Sequence, residues 1–192
     1  MKSLTTILII SLLASFPAKA AWELDSEKST LTFVSTKAIH IAEVHKFTNL
    51  SGGMDAQGKV SIKIGLNSVD TGIDIRDERM RNMLFDTGTY ESATISADVD
   101  PAKLATLGSG EVMQLAIEGV LSLHGQSNSL SAEVVVANIG GTTLLVTSKK
   151  PVVVNAFQFQ LEEGVEALRE IAGLPSISLA VPVNFVFQFD SI

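Results

Sequence analysis

The chain has 192 residues, a formal net charge of −7, no cysteine and a single tryptophan. An acidic chain of this kind is a poor candidate for binding nucleic acid or an anionic membrane surface, because both reward clustered Lys and Arg. Without cysteine the fold has no disulfides, so a core of apolar side chains must stabilise it.

The first twenty residues have the organisation of a secretory signal peptide. Lys2 provides the positive start, residues 4–16 are almost wholly apolar, and Ala18-Lys19-Ala20 offers the small residues that a signal peptidase recognises. The apolar run is shorter than the roughly 20 residues that a membrane-spanning helix needs. We therefore expect cleavage after Ala20, a periplasmic protein, and one mature domain at residues 21–192. Removal of Lys2 and Lys19 takes its net charge to −9.

Alternation of apolar and polar residues with a period of two dominates the mature sequence and predicts about eight strands. Turn-forming sequences separate several of them, at residues 51–53, 108–110, 124–126 and 140–141. One buried and one wet face per strand predict an all-β fold, with an antiparallel sheet closed into a barrel or folded into a sandwich. The predicted strands are Leu31–Thr36, Val60–Leu66, Thr94–Val99, Met113–Leu123, Leu130–Ala137, Thr142–Ser148, Val152–Phe159 and Val181–Phe189.

Two segments predict short helices. In Asp77–Phe85, Met80 and Leu84 are four residues apart, and Met83 lies beside them. In residues 161–173 apolar side chains recur at helical spacing, and Gly173 and Pro175 follow them as a stop. We expect the second helix to lie across one opening or one flank of the sheet.

The segment Ser68–Tyr90 carries the densest charge of the chain between two predicted strands, in a connection of the type that commonly carries function on a β scaffold. The sequence allows two interpretations of Arg76. In the first, Arg76 binds the polar head of a ligand through charge-assisted hydrogen bonds. In the second, it pairs with Asp77 and fixes the connection to the sheet. The apolar side chains of this segment are expected at the lumen or its entrance.

The sequence contains no convincing catalytic or metal-binding group. His40 and His45 flank Glu43, and His124 is far along the chain, so three histidines are available to a metal. A spacing of five places the first two on opposite faces of a strand, which predicts loop or mouth-lining residues and no metal or other cofactor. No Gly-x-Ser-x-Gly motif is present, and one Trp and one Tyr provide few platforms for a sugar. We therefore expect a protein that is not an enzyme.

Several motifs, taken in order, resemble the YceI-like family of secreted bacterial proteins. The chain opens with Trp22-x-Leu24-Asp25, continues with Asp70-Thr71 and Arg76-Asp77 followed by Arg81 and Tyr90, and then has the strand Glu118-Gly119-x-Leu121-x-Leu123-x-Gly125. The resemblance implies a lipocalin-like, eight-stranded antiparallel β-barrel that holds a long isoprenoid or another amphipathic lipid in its lumen.

The resulting hypothesis is a binding protein for an isoprenoid, a quinone-like molecule or a fatty amphiphile, acting as carrier, store or scavenger. Two alternatives stay open: a lipocalin-like enzyme acting on an apolar substrate, and a structural or adaptor barrel with a filled core. A homodimer is compatible with each. The candidate residues of the lumen or its mouth are Phe33, Phe47, Arg76, Met80, Arg81, Met83, Leu84, Phe85, Tyr90, Phe157, Phe185 and Phe187.

Overall fold

The computed structural model describes residues 20–192. The predicted signal peptide, apart from Ala20, lies outside the described residues. The strands are β1 (Ala20–Lys37), β2 (Ile41–Phe47), β3 (Leu50–Asp55), β4 (Lys59–Gly65), β5 (Val69–Asp70), β6 (Ser92–Asp98), β7 (Val112–Leu123), β8 (Gln126–Ile139), β9 (Thr143–Ser148), β10 (Val152–Asn155) and β11 (Ala180–Ser191). The α-helices are α1 (Asp74–Arg79), α2 (Pro101–Ala105) and α3 (Glu162–Ile171).

Eight strands form a closed antiparallel barrel, in the order β1-β3-β4-β6-β7-β8-β9-β11, with β11 returning to β1. The prediction of an all-β, lipocalin-like barrel is therefore confirmed, and the sandwich is excluded. At one end of the barrel, β2 pairs with the last part of β1 and β10 pairs with the first part of β11. At the opposite end, Trp22 and Glu23 of β1 pair with β3.

The core is made by the inward-facing side chains, which are every second residue along each strand. Leu50 of β3, Ile62 of β4 and Leu66 after β4 are the most deeply buried large side chains. Each row buries apolar surface on one face only, as the period-two pattern predicted. None of the helices within residues 20–192 is both long and apolar enough to span a membrane.

The predicted turn at residues 51–53 is wrong, because these residues lie within β3. A Cβ on Gly52 would lie 2.0 Å from the Ser61 carbonyl oxygen, and one on Gly53 would lie 2.3 Å from the Trp22 carbonyl oxygen. The two glycines therefore allow the backbones of β4 and β1 to approach β3 closely, which is a use of glycine inside strands.

The predicted strand Val152–Phe159 is wrong in its second half. The strand ends at Asn155, whose side chain accepts a hydrogen bond from the Phe157 backbone N–H at 3.1 Å and begins a 3-10 turn at Ala156–Phe159. Asparagine side chains commonly compete with a strand in this way. No strand is predicted at β2, because its inward-facing residues include Glu43 and His45 and the apolar alternation is missing.

Both predicted helices are present with different bounds. α3 covers most of residues 161–173. The first helix begins at Asp74, earlier than predicted, and passes at Met80–Leu84 into a π-helical turn. In that turn the Phe85 N–H donates to the Met80 carbonyl oxygen at 2.9 Å, five residues back. The wider turn changes which side chains face the barrel.

Candidate functional site

The barrel encloses two neighbouring cavities. The outer cavity has a volume of about 380 Å³ and the inner cavity about 120 Å³. Ile95, Leu130 and Phe185 line both of them, so these three side chains lie at the boundary between the two spaces. The inner cavity, towards the Trp22 end, is lined by apolar side chains and Gly119 alone.

The polarity of the outer cavity changes along its strands. On β1, Leu31 and Phe33 line its deeper part, and Ser35 and Lys37 line its end. On β2, Phe47 is followed in the same inward row by His45 and then by Glu43. Because alternate residues of a strand share one face, both strands carry the cavity from an apolar interior to a polar end. We call this polar end the mouth.

Aromatic side chains pack along one wall of the outer cavity. The ring centroids of Phe33 and Phe47 are 5.4 Å apart, and those of Phe47 and Phe85 are 5.8 Å apart. Further in, Phe185 and Phe187 stack with centroids 4.6 Å apart. These distances lie within the favourable range for aromatic pairs, and phenylalanine brings no polar group that must be satisfied in a dry space.

Two helical segments cover the remaining side of the outer cavity. Met80, Leu84 and Phe85 reach it from the π turn, and the helically spaced side chains of α3 reach it from above. Gly164 of α3 sits directly against that turn, because a Cβ there would lie 2.6 Å from the Met83 carbonyl oxygen and 2.9 Å from the Leu84 Cα. The backbones of the two segments are therefore in close contact, and they cover the cavity as one unit.

An ion-paired cluster joins three elements at the mouth. Glu43 of β2 accepts hydrogen bonds through one oxygen, Oε2, from Lys37 Nζ of β1 at 2.8 Å and from Arg76 Nη1 of α1 at 2.7 Å. These contacts, the Lys37 hydrogen bond first, lower the pKa of Glu43 against the opposing effect of its partial burial. The cluster fixes α1 to the β1–β2 hairpin.

Arg76 and Asp77 both bind Thr71. Arg76 donates from Nε to Thr71 Oγ1 at 2.8 Å and from Nη2 to the Thr71 carbonyl oxygen at 2.7 Å. The buried Asp77 carboxylate accepts from the Thr71 backbone N–H at 2.9 Å and from its hydroxyl. The Arg76 guanidinium is thus largely committed to protein groups, and its ionic partner is Glu43.

His45 is the most deeply buried polar side chain at the mouth, at 4% exposure. Its Nε2 lies 2.9 Å from Ser35 Oγ, and its Nδ1 has no hydrogen-bond partner within residues 20–192. Burial, reinforced by the positive charge of Arg76, lowers the pKa of His45. The folded protein therefore favours the neutral form of His45. Among the described residues, no group of three or more His, Asp or Glu could hold a metal ion.

A family model described as the YceI-like domain matches residues 22–189. The chain belongs to the YceI-like family. It is similar in structure to a polyisoprenoid binding domain from Saccharophagus degradans implicated in plant cell wall breakdown, with 41% sequence identity and a TM-score of 0.89, covering 91% of this chain and 100% of that one.

Two solved structures of lower sequence identity share the fold. Burkholderia cenocepacia BcnA has 21% identity and a TM-score of 0.66, covering 86% of this chain and 98% of that one. The Campylobacter jejuni YCEI protein has 14% identity and a TM-score of 0.54, covering 100% of this chain and 99% of that one. No curated protein matches the sequence.

The cavities of this YceI-like barrel bring together eight of the twelve candidate residues. Phe187 lines the inner cavity and Phe185 lines both. The others line the outer cavity: Phe33, Phe47, Arg76, Met80, Leu84 and Phe85.

Four candidate residues, Arg81, Met83, Tyr90 and Phe157, do not line either cavity. The π turn rotates Met83 away from the barrel, since side chains three residues apart no longer share a face there. Tyr90 packs on His124 with ring centroids 4.5 Å apart, and Phe157 is 64% exposed.

Sequence reasoning missed Ser35, Lys37 and the role of Glu43 at the mouth. The available signal was parity: residues 35 and 37 continue the inward row of Leu31 and Phe33, and residues 43, 45 and 47 alternate on one face. Where the inward-facing residues of a strand are polar, the apolar alternation is lost and the sequence looks like that of a loop. The shared face of these residues can therefore be recognised only when the pairing of β1 with β2 is known. His40, by contrast, lies in the exposed turn between β1 and β2.

Proposed function

We propose that this YceI-like protein is a binding protein that holds a long-chain isoprenoid, or another amphiphile with a long apolar tail, in its barrel. The observation that supports this function is a pair of adjoining apolar cavities with polar groups gathered at one end. That arrangement fits a molecule with one polar head and a long apolar chain. A barrel with a filled core, the adaptor alternative, would leave no cavity of about 380 Å³.

The size of the cavities supports a ligand of substantial length. At about 30 Å³ for a water-sized group such as a methylene, the outer cavity of about 380 Å³ accommodates about a dozen methylene-sized groups. At about 0.8 kcal/mol each, their burial supplies on the order of 10 kcal/mol before the costs of association. A chain that continues into the inner cavity gains more.

The comparison with the Saccharophagus degradans domain supports an isoprenoid in particular. That domain is described as polyisoprenoid binding, and it shares 41% of its sequence with this chain over its full length. The predicted signal peptide supports delivery to the periplasm, where a carrier, store or scavenger of such a lipid would act. A quinone-like or fatty ligand and a homodimer stay predictions.

The mouth supports binding without turnover. Ser35 and His45 are hydrogen-bonded, as a nucleophile and its base would be. However, no group among the described residues orients the other ring nitrogen of His45, and an activated nucleophile normally depends on such a group. Neutral His45 and its serine can instead donate or accept a hydrogen bond near a polar head.

The test is to purify the mature protein from cells and to identify bound lipid by native mass spectrometry and organic extraction. We expect a co-purifying amphiphile with a long apolar chain. Leu168→Trp places a larger side chain into the outer cavity and should reduce the recovered lipid, whereas Glu163→Trp, on the exposed face of the same helix, should not. Repeated absence of lipid, together with a calorimetric blank for prenyl alcohols, would overturn the proposal.

A further inference from the structure

Five exposed isoleucines surround the mouth of the outer cavity: Ile39, Ile41, Ile73, Ile75 and Ile171, with 48% to 73% of each side chain exposed. We call them the isoleucine rim. Ile73, Ile75 and Ile171 also line the outer cavity, so the cavity reaches the protein surface where they stand. Single exposed apolar residues are ordinary, but a group of them around an opening indicates an interaction surface.

Contacts between the elements hold the members of the isoleucine rim together. Ile41 lies on the same face of β2 as Glu43, and Glu43 pairs with Arg76, the residue after Ile75. On the other side, the Ala38 N–H donates to the Ser176 carbonyl oxygen at 2.9 Å, and Lys37 forms a bridge with Ile177. These two contacts join the hairpin to the segment that follows Ile171. The rim therefore continues around the mouth from the hairpin to α1 on one side and towards α3 on the other.

Ile39 is unfavourable for folding in two ways. It is 73% exposed, and its φ of +70° lies in the left-handed region, where a β-branched side chain is strained. Gly, Asn or Asp would suit both the exposure and the backbone of this turn. The turn accounts for the backbone conformation, but it does not account for an exposed isoleucine in it, and a strained residue of this kind is a reason to look for function. An apolar side chain presented at a hairpin tip is useful when that tip enters an apolar phase.

The charges beside the isoleucine rim nearly cancel. The β1–β2 hairpin, α1 and the end of α3 carry four cations beside the rim (Lys37, Arg76, Arg79 and Arg169) and five carboxylates (Glu43, Asp74, Asp77, Glu78 and Glu170), an excess of one negative charge, whereas the whole chain has a net charge of −7. The mouth is therefore less acidic than the rest of the molecule. Contact with an anionic surface would gain little at the mouth and would repel the remaining acidic surface. Apolar insertion, rather than charge, is the interaction that this face offers.

We propose that the isoleucine rim docks the mouth of the barrel on the surface of a lipid bilayer whose headgroups carry no net charge. The inference rests on the proposed function, because a ligand with a long apolar chain resides in a bilayer and crosses water with difficulty. The rim is continuous with the cavity that would receive the chain. Inserted isoleucines replace water at the opening and give the chain an apolar path between membrane and lumen.

The experiment measures co-sedimentation of the mature protein with phosphatidylcholine vesicles. The double variant Ile39→Ser with Ile41→Ser removes two rim side chains that do not line the outer cavity. It should weaken vesicle binding roughly tenfold or more, because two large apolar side chains no longer insert. Ile139→Ser is the matched control, since Ile139 is also exposed, at 51%, but pairs with Thr143 near the opposite end of the barrel. It should leave vesicle binding unchanged. The addition of anionic phosphatidylglycerol should not strengthen the binding of the unchanged protein and should weaken it at low salt, because the acidic surface is repelled.

A second measurement separates docking from holding. The double variant should take up geranylgeraniol from detergent as the unchanged protein does, since its cavity lining is intact. Failure of the unchanged protein to take up any prenyl alcohol would overturn the proposed function. Normal uptake together with equal vesicle binding by the unchanged protein and the double variant would overturn the docking proposal alone. Absent vesicle binding, with a dimer that the double variant dissociates, would assign the rim to a second copy of the chain and likewise overturn it.

Discussion

Replacing Ala132 by Leu should shorten the lumen without closing its mouth. Ala132 is a buried residue of β8 that lines the inner cavity, and the substitution adds three methyl-sized groups. At about 30 Å³ each, these groups would fill most of the inner cavity of about 120 Å³. The outer cavity has no contact with this position, so a ligand confined to it should be unaffected.

The size of the effect follows from the groups that are displaced. A chain that loses room for about three methylenes loses about 2.4 kcal/mol of burial, at about 0.8 kcal/mol each. A difference of 1.4 kcal/mol changes affinity about tenfold, so the loss corresponds to roughly 50-fold weaker binding of a long chain. Because the new side chain occupies empty space, the melting temperature should rise or stay constant.

The assay is a titration of the protein with geraniol and with geranylgeraniol, followed by tryptophan fluorescence. Trp22 is the single tryptophan and lines the inner cavity, so its emission reports whether a chain arrives there. The matched control is Ala116→Leu, at an exposed, outward-facing position of the neighbouring strand β7. Geranylgeraniol should bind Ala132→Leu more weakly and geraniol should not. Equal affinity of the variant and the unchanged protein for the long chain would refute the idea that ligand enters the inner cavity.

Three further predictions concern the helical cover and the ionisable groups of the mouth. Gly164→Ala should lower the free energy of unfolding by about 1–3 kcal/mol, because the new Cβ would meet the Met83 carbonyl oxygen. This is the opposite of the usual stabilisation of a helix by Ala relative to Gly. Equal urea midpoints for Gly164→Ala and the exposed control Glu163→Ala would contradict this prediction. The hydrogen bond from Lys37 lowers the pKa of Glu43, so its stabilisation is complete above pH 4.5 and is lost as the pH falls through the lowered pKa. Glu43→Gln should flatten this part of the dependence of unfolding free energy on pH, and an unchanged slope would count against the ion pairs. Burial lowers the pKa of His45, so the unfolded chain binds the proton more readily and stability decreases as the pH falls below 6.5. Urea unfolding of His45→Gln should lack that decrease, and a decrease that persists would have to arise elsewhere.

Most of the strands of the barrel could be predicted because their signal is local. The alternation in β7 and β11 indicates which residues share a face, and a strand with one apolar face must bury that face against other strands or helices. The helical spacing in α3 is equally local, and the apolar side chains that made it recognisable are those that line the outer cavity. For the same reason the phenylalanines of these alternating rows were reasonable candidates for the lumen.

Contacts between distant segments explain some of the differences between prediction and structure, and local backbone geometry explains the others. The glycines at residues 52 and 53 read as a turn, but their backbone lies against β4 and β1, which are distant in sequence or separated by a loop. An α-helical period predicts Met83 beside Met80, but the wider π turn moves Met83 outside the cavity lining. One of the two interpretations of Arg76 pairs it with the adjacent Asp77, whereas its ion pair in the structure is with Glu43, 33 residues away.

The sequence by itself determined that this protein is an antiparallel all-β fold whose strands each have one apolar face, since period-two alternation is a property of neighbouring residues and needs no partner strand to be recognised. The choice of a barrel over a sandwich came from the resemblance to the YceI-like family and from the return of β11 to β1 in the structure. Only the tertiary structure decided which polar side chains meet at the mouth and which isoleucines stand around it. Those groups come from β1, β2, α1 and the end of α3, and the pairing of strands and the docking of helices bring them together. A site assembled from distant segments depends on register and packing, and neither is written in any single stretch of the chain.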